Sequence, residues 1–397
     1  MSMISPEQLA RIRTETPGIP GVIHFNSAGS SLPPASVMAA SITYLQQEAE
    51  QGGYELMMSR NADLEAVYGL VANMIGAQPE DIALCESATD GWYRALHSIA
   101  WKDGDEILMS RAEYGANYLG YLALKEKFGV ETRLVEDNEF GEIDLIHLEN
   151  SITSSSRLIA LSHMPTNGGL VNPAEEVGAI ARKHGLIYLL DACQTVGQKP
   201  LDVAALQCDF LAATGRKFMR GPRGTGFLYV RPEILDQLHP PRPDLWSAKW
   251  VGPQAYEWLP GARRFENFEF SRALRLGLGE AARYYLEVGP EAIWDRIQQL
   301  AALLREKLAA IPGVIVRDKG RVLGGIVTFT IDGHDPDEMH GELMKQKLQL
   351  SVNREGTAWL DMPQRGITTM LRASVHYFLE ESDIDTLARE IEKGIEV

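Results

Sequence analysis

Between Gly21 and Val230, short apolar runs alternate with longer segments whose apolar residues recur at helical spacing. The apolar runs are Ile82–Cys85, Glu106–Met109, Thr132–Val135, Leu158–Leu161, Ile187–Leu190, Phe210–Ala212 and Phe227–Val230. Several are continuous, which is the pattern of strands covered on both faces. Helix-like segments such as Gly91–Ala100 and Ala174–His184 separate them. This alternation predicts an α/β fold with a mostly parallel, seven-stranded sheet. Past Val230 the pattern changes. A stretch rich in Pro and Trp, Leu238–Gly261, reads as irregular. Helices are expected near Leu274–Glu287 and Pro290–Ala309, strands at Gly324–Ile331 and Met370–Ser374, and a closing helix at Glu381–Lys393. These elements predict a smaller α+β domain. The expected division gives residues 21–258 to the large domain, and 1–20 with 259–397 to the small one.

Open parallel sheets bind ligands beyond the carboxyl ends of their strands. Here those positions carry the polar residues: Glu86-Ser87-Ala88-Thr89, Glu113-Tyr114, Ser162-His163, Asp191 and Thr214-Gly215-Arg216-Lys217. Ser87, Ala88 and Thr89 lead into a helix, where free N–H groups and the helix dipole suit an anion. Serine is also an ordinary N-cap there. Asp191 ends an apolar run and needs a partner. That partner is either a ligand's ring nitrogen or the next helix, and Gln194 either contacts the same ligand or closes a turn. Tyr114 and His163 belong either to a ligand site or to the core. Thr214 and Arg216 flank Lys217 and could complete a phosphate cradle. Alternatively, Arg216, Lys217, Arg220 and Arg223 form a solvated basic cluster, although the Gly221-Pro222-Arg223-Gly224 turn bends the chain sharply beside the lysine. Arg372 lies inside the apolar run Met370–Ser374, where a charge is expensive unless paired. Its partner is a substrate carboxylate or an internal acid. A lysine able to form an imine and a carboxylate at a strand end are the two groups that pyridoxal phosphate requires.

Composition narrows the field. The chain has 397 residues, 45% of them hydrophobic and 23% charged, with no low-complexity tract. Its formal net charge of −16 argues against nucleic acid as a partner. No apolar run approaches the length of a membrane span, and the N-terminus has no signal-peptide pattern, so neither a membrane nor export is expected. Cys85, Cys193 and Cys208 are sparse and odd in number, which fits a reducing, cytoplasmic setting. No structural zinc, other metal or disulfide framework is expected.

The order of these residues gives the chain its resemblance to the class V aminotransferase group of fold-type I pyridoxal-phosphate enzymes. That group includes cysteine desulfurases, cystine C–S lyases, isopenicillin N epimerases and the ergothioneine-pathway C–S lyases. The resemblance runs from His24-Phe25-Asn26-Ser27-Ala28-Gly29 to Arg372-Ala373-Ser374-Val375-His376-Tyr377. Its most specific parts are Asp191-Ala192-Cys193-Gln194 and Thr214-Gly215-Arg216-Lys217. It implies pyridoxal 5'-phosphate as cofactor, with Lys217 joined to it and moving protons at the substrate α-carbon. It further implies that Asp191 pairs with the pyridine nitrogen, that Gln194 contacts the ring hydroxyl, and that Tyr114 replaces the family's stacking histidine. Ser87, Ala88, Thr89, Thr214 and Arg216 would hold the phosphate, and Asn167 lies in the loop that reaches the ring. Arg372 and Asn26 would take the carboxylate of an amino-acid substrate.

Three departures shape the expected activity. Ser351–Met370 contains no Cys, whereas the desulfurases need a nucleophilic one shortly before the arginine. Arg216 replaces their usual His before the lysine, and the Arg-Lys pair followed by a Gly-Pro turn looks most like the ergothioneine-pathway lyases. Arg264–Glu269 lacks the Thr with which many members reach the partner subunit's phosphate, although a homodimer is still expected. The expectation is a C–S lyase. It would remove sulfur by β-elimination from an S-substituted cysteine or cysteine sulfoxide, giving pyruvate, ammonia and a sulfur product. Transamination and α-carbon epimerisation are the alternatives within the family. A DNA-associated regulator is disfavoured, because the fold begins by residue 21.

Overall fold

The computed structural model describes residues 4–395. Seven strands form the central sheet: β1 (Ile82–Cys85), β2 (Glu106–Met109), β3 (Glu131–Leu134), β4 (Ser156–Ser162), β5 (Ile187–Asp191), β6 (Phe210–Thr214) and β7 (Gly226–Val230). Their spatial order is β1-β7-β6-β5-β4-β2-β3. Strand β7 runs antiparallel to both neighbours, and every other pairing is parallel. Successive side chains of a strand face opposite ways, and both faces are filled here. Along β6, Phe210 and Ala212 join a core with Trp92, Leu96 and Tyr121, while Leu211 and Ala213 join a second core with Val177, Phe218 and Leu278. Burying each large apolar side chain contributes on the order of 1.5–3 kcal/mol, so these runs lack polar interruptions. The exception is β3, an edge strand whose residues are exposed or half-buried. Its polar alternation places it one residue earlier than the apolar run suggested.

Local signals set the helix ends. Ser87 caps the helix Ala88–Ser98, its Oγ accepting the Asp90 N–H at 3.1 Å. The outer edge of β1 is closed by Glu266, whose carboxylate accepts the Leu84 N–H (2.9 Å), the Tyr68 hydroxyl, the Trp246 indole N–H and the Arg275 guanidinium. The segment without the family's cross-subunit Thr is thus committed to the edge of its own sheet.

A second sheet of four antiparallel strands comprises β8 (Val314–Val316), β9 (Ile326–Ile331), β10 (Ser351–Arg354) and β11 (Thr369–Ser374), in the order β8-β9-β11-β10. Only β9 and β11 were legible in the sequence. Within the supposedly irregular Leu238–Gly261 stretch, Ala248–Gly252 and Ala255–Trp258 pair as a hairpin. Most of its residues are exposed, so no inward-facing apolar pattern announced it.

Two contacts position the site. The Ser374 N–H donates to the Phe25 carbonyl (2.7 Å), which brings Asn26 beside β11. At Gly197 (φ 92°) a Cβ would lie 2.3 Å from the Met219 nitrogen. The turn after β5 therefore crosses the loop after β6 backbone to backbone, in a conformation that favours glycine.

Candidate active site

Lys217 follows β6 and is buried, its Nζ 5.7 Å from the centre of the Tyr114 ring. Burial pushes its pKa below that of an ordinary lysine; Cys193 and Asp191 oppose the shift, and Arg216 and Arg372 add to it. The amine is therefore more readily deprotonated than a surface lysine.

Asp191 ends β5 in a ring of donors. Its Oδ1 accepts the Cys193 N–H (2.9 Å) and its Oδ2 accepts the Asn117 side-chain amide (2.8 Å). Asn117 also donates to Glu113 (3.1 Å), whose carboxylate takes the Ser162 hydroxyl (2.6 Å) and the Tyr121 hydroxyl (3.0 Å). Burial raises the pKa of Glu113. Asp191 is thus held in place by neutral donors, with no cation of the chain paired to it among the described residues.

Arg372, on β11, is buried. It donates to the Thr166 hydroxyl (2.5 Å) and to the Asn26 side-chain oxygen (3.3 Å), and its Nε has no partner. No carboxylate pairs with it among the described residues, so the internal-acid alternative fails. Burial and the neighbouring Arg216 push its pKa down to about 10. Arg216 donates to the Gly29 carbonyl. Gln194 reaches the Ala28 carbonyl (3.2 Å) and Thr166 (3.4 Å), and its Oε1 has no partner. Asn167 accepts from Asn353 (3.0 Å). Ser87 lies two residues beyond Cys85, which pairs with Gly226, and Gly226 pairs in turn with Thr214. The Ser87-Ala88 turn and Thr214 therefore share one corner of the sheet. Thr89 is exposed.

The solvated-cluster alternative fails as well. Arg220 is 1% exposed and donates to the Leu32 carbonyl, the Thr16 hydroxyl and the Tyr377 hydroxyl. Tyr114, at 38% exposure, is not a core residue.

Sequence reasoning missed Asn117, Thr166 and Asn353, and singled out Glu113 only as part of a strand-end pair. Asn117 was findable in principle, because it lies one helical turn after Glu113 at the i+4 position.

The donor set fits pyridoxal phosphate. A buried lysine with a lowered pKa, a strand-end carboxylate without a cation, the unmatched Gln194 Oε1 and the helix N-terminus after β1 all follow strands of the one central sheet. These are the groups needed by an aldehyde, a ring nitrogen, a ring hydroxyl and a phosphate respectively.

A model of class-V aminotransferases matches residues 23–387, and the chain belongs to that family. It is a pyridoxal-phosphate-dependent enzyme. Two relatives cover nearly its whole length. A probable cysteine desulfurase of Methanothermobacter thermautotrophicus is 26% identical over 392 residues, 96% of this chain and 97% of the relative. A cysteine desulfurase of Salmonella agona is 27% identical over 393 residues, 95% and 94% respectively. The apo structure of a cysteine desulfurase from Thermococcus onnurineus superposes with a TM-score of 0.92 at 26% identity, covering 100% of this chain and 99% of that one. The cystine C–S lyase C-DES, solved with cysteine persulfide, shares the fold at a TM-score of 0.87 and 24% identity, covering 95% and 99%.

Proposed function

We propose that this enzyme is a C–S lyase acting on S-substituted cysteines or cysteine sulfoxides, with pyruvate, ammonia and a sulfur compound as products. The observation that carries the reading is the state of the thiols. Cys85 and Cys208 are buried and Cys193 is half-buried, and burial pushes all three thiols well above their ordinary pKa. A buried thiol whose pKa is raised is a poor acceptor of sulfur from a substrate. The segment Ser351–Met370 supplies no cysteine. The sulfur therefore leaves with its own substituent rather than on the protein.

Pyridoxal phosphate, when bound, supplies the electron sink that makes the α-proton acidic. Arg372, with Asn26 and Thr166 beside it, binds the substrate carboxylate as its missing counter-ion. Lys217, as a free amine, takes the α-proton, and the burial that lowers its pKa favours that free form. Asp191, Gln194 and the Ser87-Ala88 turn would hold the cofactor, and Tyr114, whose ring lies beside the Lys217 amine, would border it. The C–S bond breaks with its electron pair on sulfur. The remaining three-carbon enamine takes up water and gives pyruvate and ammonia.

The enzyme is a homodimer, supported by an exposed apolar face on the helix Ala35–Gln51 (Met38, Ile42, Leu45) and by exposed Tyr54 and Met58 on the next helix, Gly53–Ser59. It works in the cytoplasm, a setting that its unpaired cysteines suit.

The test is a product assay without added keto acid. Cofactor-loaded protein should release equal amounts of pyruvate and ammonia from S-methyl-L-cysteine and its sulfoxide. Lys217→Ala should lose that activity and shift the visible absorbance of the bound cofactor to that of its free aldehyde. Alanine without pyruvate, or inversion at the α-carbon without cleavage, would replace the lyase with a transaminase or an epimerase.

A further inference from the structure

A cleft of about 390 Å³ opens beside Tyr114. One wall is the start of the helix Gly115–Phe128, with Tyr118, Leu119 and Leu122; the other is the loop that carries Trp359 and Leu360. The two walls nearly touch at one end, where a Cβ on Gly115 would lie 3.0 Å from the Thr357 carbonyl oxygen. Trp359 and Leu119 are 64% and 63% exposed, an unusual outlay of large apolar surface around one opening. Tyr114 borders both the cleft and the lysine: it lines the opening, and its ring centre stands 5.7 Å from the Lys217 Nζ.

The charge of the lining is equally specific. No Lys or Arg contributes to it. Its one carboxylate, Glu113, is occupied by the Tyr114 N–H, Asn117, Ser162 and Tyr121. A charged group entering the cleft would lose water without gaining a counter-ion, whereas an aromatic or aliphatic group would meet rings and leucines.

We propose that this cleft receives the group attached to the substrate's sulfur and selects uncharged apolar or aromatic substituents. For its chemistry the inference rests on the lyase reading above. It makes S-benzyl-type cysteines better substrates than those whose sulfur carries a second charged end, cystine included. It also gives the loop after β10 a binding role in place of the nucleophile that desulfurases carry there.

A matched pair of substrates tests it. S-benzyl-L-cysteine and S-(4-carboxybenzyl)-L-cysteine release the same kind of benzylic thiolate and differ in the charge at the far end. The expected kcat/KM ratio favours S-benzyl at least tenfold. Leu122→Lys should reverse or erase that preference, and Trp359→Ala should cut it at least fivefold. Binding to cofactor-loaded Lys217→Ala, measured by calorimetry, should show the same preference without turnover. A ratio near one in both kinetics and binding overturns the proposal. So does a Trp359→Ala variant that keeps the preference but no longer dimerises, since the cleft would then be a subunit contact. If neither S-methyl- nor S-benzyl-cysteine yields pyruvate, the lyase reading fails, and the calorimetric preference alone decides whether the cleft selects as proposed.

Discussion

His163 follows β4 with its backbone N–H on the Asp191 carbonyl (3.0 Å), while its ring Nδ1 has no partner. Burial, with Lys199 adding to it, pushes its pKa down to about 3, against 6.5 for a free histidine. Between those values the unfolded chain binds the proton and the folded chain does not. Stability therefore rises with pH through that window and is lost as pH falls below 6.5. From pH 8 to pH 5 the loss is about 2 kcal/mol for this one group. His163→Gln should remove that share, so its urea unfolding free energy should fall by about 2 kcal/mol less than that of the parent over the same range. Equal falls would mean that His163 is protonated in the fold. At this scale the sequence was legible where a charge closed, closely followed or interrupted an apolar run, as at Asp191, Lys217 and Arg372 respectively. It was less legible where neutral polar residues do the holding. Asn117 meets Asp191 across 74 positions, and only its i+4 spacing from Glu113 marks it locally; Thr166 meets Arg372 across 206 positions, with no local sign.

The turn after β5 and the loop after β6 hold Asp191 and Lys217 in register through the contact at Gly197. An added methyl there would meet the Phe218 and Met219 backbone, neither of which can rotate away, and the φ of 92° is itself strained for any other residue. Gly197→Ala should lower stability by about 3 kcal/mol or more, read as a fall in Tm and a weaker hold on the cofactor in dialysis. A variant with unchanged Tm would mean that the two segments can separate without harm. Elements buried on both faces, such as β4, β5 and β6, were readable because burial forbids polar breaks. The hairpin Ala248–Trp258 and the short strands β8 and β10 were not. They are exposed or only a few residues long, and their pairing is set by partners distant in sequence.

For the whole molecule, the exposed apolar residues Met38, Ile42 and Leu45, with Tyr54 and Met58 on the next helix, are many for a chain whose net charge of −16 would otherwise keep copies apart. The spacing of the first three on the helix Ala35–Gln51 follows one helical face. If copies pair through this face, as proposed above, Ile42→Asp should raise the dimer dissociation constant about thirtyfold, or ~2 kcal/mol, in sedimentation experiments. A variant as dimeric as the parent would move the contact to another face. A different consequence follows from the antiparallel run of β7. The chain leaves β6, carries Lys217 through a loop closed by Gly215 N–H to Thr225 carbonyl (3.0 Å) and Gly221 N–H to Gly215 carbonyl (2.7 Å), and re-enters the sheet one strand over. The reactive amine is therefore tethered at both ends to the interior of the sheet rather than carried on a lid. Its aim is set by the sheet and by the contact at Gly197 rather than by the surface loops.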